Sequence, residues 1–400
     1  MKKLIILVCI LLSSGLIFSQ RTFDYILKAQ AFVYNGQPDQ AITLLTGAIT
    51  EINESALYIE RAEAYIIKGD YTGAIRDYNE ANKINPLSGE YGLSRIYALK
   101  GDATTALYHL GMNLNSSFRK SEKEIMLDPA FRPIENRPEW RQFWKKEWYS
   151  LIERGISEIE YYVSAGKIEE SKAVISELKQ SYGRNNEILY AEALINLSSG
   201  KVTEATKVIS GLIVLDPSNE KYLRILAKSQ MAANNPVGAS DTYTKILDLG
   251  IPDPKLLKLR SDCYRKTGEY GKALADIKRF LDIFPEDKEA LSLAGKVEAV
   301  SGDNLKALEY FSKNLELHPN DAECYIDRAN SYFISNSWDW AIKDYSMALD
   351  LNPESSDVWL NKGIALLKSG RVGDACHDFR KSFSMSNKRA SEYISKHCIK

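Results

Sequence analysis

The sequence predicts an all-α chain, a solenoid of repeated helical hairpins, and three patterns predict it. First, the stretch from Ala322 to Ser355 reads as two short amphipathic helices. Tyr325, Ala329 and Tyr332 in the first, and Ala341, Tyr345 and Ala348 in the second, recur at spacings of four and three, which sets each trio on one helix face. Second, an alanine recurs at Ala205, Ala239, Ala273, Ala307, Ala341 and Ala375 with a step of 34 residues. Ser171 falls one step earlier, and Ala106, Ala74 and Ala41 continue the series at steps of 32 and 33. Third, a turn former stands five residues ahead of each: Gly36, Gly69, Gly101, Gly166, Gly200, Gly268, Gly302 and Gly370, with Asn234 and Asn336 in the two remaining places. One small hairpin cannot bury its apolar face alone, whereas stacked copies share a continuous core.

These residues resemble the tetratricopeptide repeat family, whose unit is a 34-residue helix–turn–helix. The resemblance rests on Tyr325, Ala329, Tyr332, Ala341, Tyr345, Ala348 and Pro353 in one unit, and on Tyr58, Ala62, Tyr65, Gly69, Ala74, Tyr78, Ala81 and Pro86 in another. It implies a right-handed superhelical solenoid of about ten units, with a degenerate tryptophan-rich unit after the third and a capping helix at the end. Ile159, Asn196, Gln230 and Glu298 depart from the pattern, so packing near them should differ in detail.

Composition agrees. The 400 residues are 44% hydrophobic and 26% charged with a formal net charge of -1, which gives no global pull towards nucleic acid or an anionic membrane.

In chain order, residues 1–19 read as a secretory signal peptide. Lys2 and Lys3 precede an apolar run from Leu4 to Leu12, and Ser19 offers a small residue for cleavage. An uncleaved anchor is the alternative. A signal of this kind implies export to the periplasm or cell envelope of a bacterium. No second apolar run approaches the length of a membrane span.

Residues 22–114 hold three units. Glu60, Glu63, Arg76 and Asp77 read there as solvated helix faces.

Residues 115–150 break the period. Trp140, Trp144 and Trp148 follow one another at steps of four, one stripe of a helix starting at Pro138. The stripe is either core that bridges two sub-arrays or a partly exposed aromatic anchor for a partner. The neighbouring basic residues are offset by Glu139 and Glu147, so nucleic acid is not expected.

Residues 152–386 hold seven units. The resemblance implies that Lys221, Arg224, Lys228, Lys255, Lys258 and Arg265 face a concave groove, as a site for an acidic peptide or protein segment. A solvated charged face without a ligand is the other reading.

Residues 387–400 read as a capping helix. Cys376 and Cys398 lie eleven residues on either side of Asn387, so an antiparallel turn there would bring them level as a disulfide. Two free thiols remain the alternative, as does a zinc site with His377 and His397.

No nucleotide loop or nucleophile elbow appears, and no cofactor is expected. The expectation is therefore a non-catalytic scaffold for a protein or peptide partner. The alternatives are a glycan-binding module using exposed Trp and Tyr, and an accessory subunit of an enzyme or secretion complex.

Overall fold

The computed structural model describes residues 21–250 and 253–398. The signal-like segment lies outside them. The described residues are helical, and none of their helices is long and apolar enough to cross a membrane. They fall into two compact units, one ending at Leu256 and one beginning at Leu257.

The first unit opens with three hairpins: α1 (21–34) with α2 (Pro38–Glu51), α3 (Ser55–Lys68) with α4 (Tyr71–Ile84), and α5 (Glu90–Leu99) with α6 (Ala103–Leu114). A short α7 (Glu122–Leu127), a 3-10 turn (Pro129–Phe131) and a short α8 (Pro138–Phe143) follow. Three more hairpins are α9 (Leu151–Ser164) with α10 (Ile168–Tyr182), α11 (Asn186–Ser198) with α12 (Val202–Leu215), and α13 (Glu220–Ala232) with α14 (Pro236–Asp248).

The second unit begins within α15 (Lys255–Thr267), which pairs with α16 (Tyr270–Ile283), and goes on with α17 (Lys288–Ser301) and α18 (Asn304–Leu317), α19 (Ala322–Ile334) and α20 (Trp338–Leu351), α21 (Ser356–Lys368) and α22 (Val372–Ser384), and α23 (Arg389–His397).

The 34-residue period is a packing period. Ser171 and all nine recurring alanines have 0% exposure, because each sits at the start of a second helix where two helices press together. At all ten turns the predicted turn former has a positive φ, between 54° and 97°. Glycine carries this left-handed turn without strain, and Asn234 and Asn336 are the side chains best suited to replace it. The turn residue's own N–H caps the preceding helix, as Gly69 does by bonding to the Ile66 and Tyr65 carbonyls.

Close approach within a hairpin is visible at Gly295 and Gly363. A Cβ there would lie 2.4 Å from the Phe311 ring and 2.6 Å from the Phe379 ring. Successive hairpins then stack, with the second helix of one against the first helix of the next: α2 on α3, α4 on α5, α12 on α13, α18 on α19, α20 on α21. First helices also touch one another, as α3 touches α5, α9 touches α11, α11 touches α13, and α17 touches α19.

The segment between α6 and α9 corrects the expected tryptophan helix. Helix α8 stops at Phe143, so Trp144 caps it and Trp148 lies beyond it. The cause is local. The Trp148 indole N–H donates to the Phe143 carbonyl at 3.0 Å, and the two rings stack 4.7 Å apart. A side chain thus takes the place of the next helical turn.

The three tryptophans gather nonetheless. Trp140 meets Trp144 edge-on and tilts against Phe131. Trp140 is 7% exposed, and all three join a core with Leu107, Leu110, Ile125 and Ile134. The stripe is core chemistry achieved by a folded-back loop.

Candidate functional site

In the first unit, α9, α11 and α13 present one face each to a cleft of about 510 Å³. Ile156, Ser157 and Glu160 of α9 line it, with Glu187 of α11 and Lys221 of α13. Residues 119–124, from the irregular segment, form its wall together with Tyr149.

The wall is held by specific bonds. Ser121 and Glu124 form a capping box that starts α7, and Ser150 with Glu153 does the same for α9. Tyr149 donates its hydroxyl to the Lys120 carbonyl at 2.6 Å. Arg119 donates to the Trp148 carbonyl and lies 4.3 Å over the Tyr149 ring. Two crossed ion pairs join wall to helix: Arg119 with Glu153 at 3.1 Å, and Glu122 with Arg154 at 3.9 Å.

Most of the charges of this cleft are matched in place. Lys221 lies 3.3 Å from Glu160, which also accepts the Tyr190 hydroxyl at 3.0 Å. That hydroxyl is held in its protonated form by burial and by the neighbouring Glu160 carboxylate.

The same holds for most of the cations expected to make a basic groove. Arg224 pairs with Glu220 at 2.7 Å and with Asp253 at 2.8 Å. Lys258 pairs with Asp287 at 3.0 Å, and Arg265 with Asp262 at 2.7 Å. Lys228 and Lys255 are exposed, with no ion pair among the described residues. Four of the six cations expected to face a groove thus carry a carboxylate partner within the chain. Arg224, Lys258 and Arg265 each meet a carboxylate one turn away on the same helix or 29 residues further along the chain, whereas the partner of Lys221, Glu160, lies 61 residues earlier.

Sequence reading missed a second polar cluster on the first helices. Glu63 of α3 takes two bonds from Arg95 of α5, at 2.6 and 2.8 Å, and one from the Tyr78 hydroxyl at 2.5 Å. Arg95 also lies 3.0 Å from Asp128, which accepts the Tyr91 hydroxyl at 2.8 Å. Burial pushes the Glu60 carboxyl up to about 7; the Gln30 amide opposes the rise and Glu63 adds to it.

Asp77 is fully buried and takes two bonds from Arg61, at 2.7 and 2.8 Å. The solvated-face reading of Glu60 and Asp77 is overturned; Glu63 is bonded yet keeps 38% of its side chain exposed, and Arg76, 64% exposed, stays on the surface. The available signal was an Arg followed sixteen residues later by an Asp. It recurs as Arg260 with Asp276 and Arg328 with Asp344, both doubly bonded and buried on the Asp side.

At the C-terminus the structure joins Cys376 to Cys398, with Cα atoms 5.6 Å apart. The bond pins α23 on the last hairpin, where Tyr393 stacks on Phe379 at 4.9 Å and Ala390 is fully buried. Cys263 and Cys324 are separate buried thiols, each pushed up to about 11 by burial. Among the described residues no group of His, Cys, Asp and Glu is arranged to hold a metal.

No curated protein matches the sequence. Residues 26–88, 259–322 and 326–381 match the tetratricopeptide repeat family. A tetratricopeptide repeat protein from Parabacteroides merdae is similar in fold: 19% identity, TM-score 0.51, covering 61% of this chain and 97% of that one. The Cut9–Hcn1 hetero-tetramer of APC/C aligns at 15% identity and TM-score 0.49, over 92% of this chain and 88% of that one. Pseudomonas aeruginosa pilF aligns at 16% identity and TM-score 0.42, over 53% and 96%. The matched stretches are tetratricopeptide repeats, and the hairpins between them keep the same turn residues and buried small residues in register.

Proposed function

We propose that this chain is a non-catalytic scaffold of the bacterial cell envelope that binds a protein or peptide partner on its first-helix face. Tetratricopeptide-repeat proteins are interaction scaffolds that bind such partners. The observation that carries the reading is the cleft walled by residues 119–124, built from three first helices and an inserted wall. Its rims are ordered by bonds already made, so a partner would meet a pre-formed surface and little ordering cost would fall on the scaffold. Because its main charges are matched in place, the occupant is selected by shape and by exchange of ion pairs, more than by net acidity.

Envelope localisation is supported by the signal-like residues 1–19 and by a disulfide, a bond that persists in oxidising compartments. Fractionation of expressing cells tests it; protein confined to the cytosol with Cys376 and Cys398 reduced would sink it.

For the cleft, a photo-crosslinking residue at Ser157 should trap one dominant protein in cells. Reversal of Arg154 and Lys221 to glutamate should abolish the product. Equal trapping from the exposed position Thr203 on α12 would refute the cleft as the site.

A further inference from the structure

Helix α11 lines a groove on each of two faces. Glu187 lines the cleft and Tyr190 bonds to the cleft's Glu160, while Leu189, Glu192 and Asn196 lie about half a turn around the helix. With α12 they line a separate groove of about 790 Å³.

Its floor is apolar. Val208, Leu212 and Leu215 follow at steps of four and three along α12, opposite Leu189. Leu215 is 68% exposed and the adjoining Val214 79% exposed, more than any other pair of neighbouring apolar residues here.

Gly211 sits in the middle of that floor. At Gly295 and Gly363 a phenylalanine ring fills the space of the missing side chain, but a Cβ on Gly211 would meet nothing within 4 Å. A mid-helix glycine costs about 1 kcal/mol against alanine. Packing within the chain gives no reason for it, and its effect is to deepen the groove.

The rim is basic. Lys201 and Lys207 are exposed, with no ion pair among the described residues. Arg184 reaches Glu192 only at 3.5 Å, and Glu192 is shared with Lys179 at 3.4 Å. Glu204 is the one other carboxylate of the groove. From Glu204 to Leu215 the α12 side spans about 16 Å, or three helical turns.

We propose that this groove docks an acidic amphipathic helix of a partner protein. The partner helix would run about three turns, with apolar residues at steps of three and four on one face and carboxylates flanking them towards Arg184, Lys201 and Lys207. The chain is then a two-sided adaptor, and this surface stands or falls independently of the cleft.

The test is fluorescence anisotropy on the full chain with a stapled helical peptide bearing leucines on one face and glutamates beside them, against a sister peptide with lysine for every glutamate. The acidic peptide should bind at least about tenfold more tightly, a difference of about 1.4 kcal/mol. Gly211→Leu, which fills the groove from open space, and the pair Lys201→Glu with Lys207→Glu should each weaken it by about the same factor. Lys221→Glu, in the cleft, should leave it unchanged. Circular dichroism checks that each variant folds, and the charge-reversal pair serves if Gly211→Leu does not. Equal binding of the two peptides, binding of neither, or indifference to the rim reversals overturns the proposal. So does a concentration-dependent dimer in sedimentation that Gly211→Leu abolishes, since the occupant would then be a second copy.

Discussion

Gly295 and Gly211 occupy the same helical backbone under opposite constraints. Gly295 makes room for Phe311, so Gly295→Ala forces a ring aside and should destabilise by about 1–3 kcal/mol. Gly211 makes room for nothing within the chain, so Gly211→Ala should stabilise by about 0.5–1 kcal/mol. Denaturant midpoints of the two variants check both, and a common sign would break the contrast.

Glu60 gives a pH signature. Its folded carboxyl titrates at about 7 against an ordinary 4.5, so the folded state holds the proton more tightly. Its contribution is fully present below about pH 4.5 and is lost as pH rises through about 7. Glu60→Gln should therefore gain stability over the native chain at pH 8 relative to pH 5. An identical pH dependence for both would show that Glu60 is not the group responsible.

At the scale of elements, the hairpins were legible because three local rules agree in each: an apolar stripe, a left-handed turn residue and a small contact residue. What was not legible is how charges pair. Asp77 beside Arg76 reads as surface, since a one-dimensional pattern does not show that Arg61, sixteen residues earlier, folds over it. The cleft was hidden for the same reason, because its wall depends on Arg119 and Glu122 meeting Glu153 and Arg154 across a break in the repeat. The tryptophan helix failed because Trp148 bonds to Phe143 instead of extending the helix.

The buried pairs make a prediction of their own. Asp77→Ala leaves the Arg61 guanidinium without its main partner and should cost about 3–5 kcal/mol. The double variant Arg61→Met with Asp77→Leu should recover most of that loss in urea unfolding. No recovery would mean that the carboxylate, rather than the stranded cation, carries the energy.

At the scale of the whole molecule, hairpins communicate mainly with their neighbours, and local damage should stay local. The Cys376–Cys398 bond closes a loop with a sequence separation of 22, worth about 3 kcal/mol to the end of the array. Cys398→Ser should raise hydrogen exchange in α22 and α23 and leave α2 to α6 as protected as before. Faster exchange reaching those N-terminal hairpins would contradict nearest-neighbour coupling.

The same bond changes what a cut chain looks like. The turn at Ser386 to Lys388, where Ser386 has a φ of 67°, lies between the two bridged cysteines. A protease that nicks the backbone there frees no fragment. The nicked protein would keep all its residues, gain only the water of hydrolysis and stay capped, and a clip at this point would surface on a gel only after reductant is added.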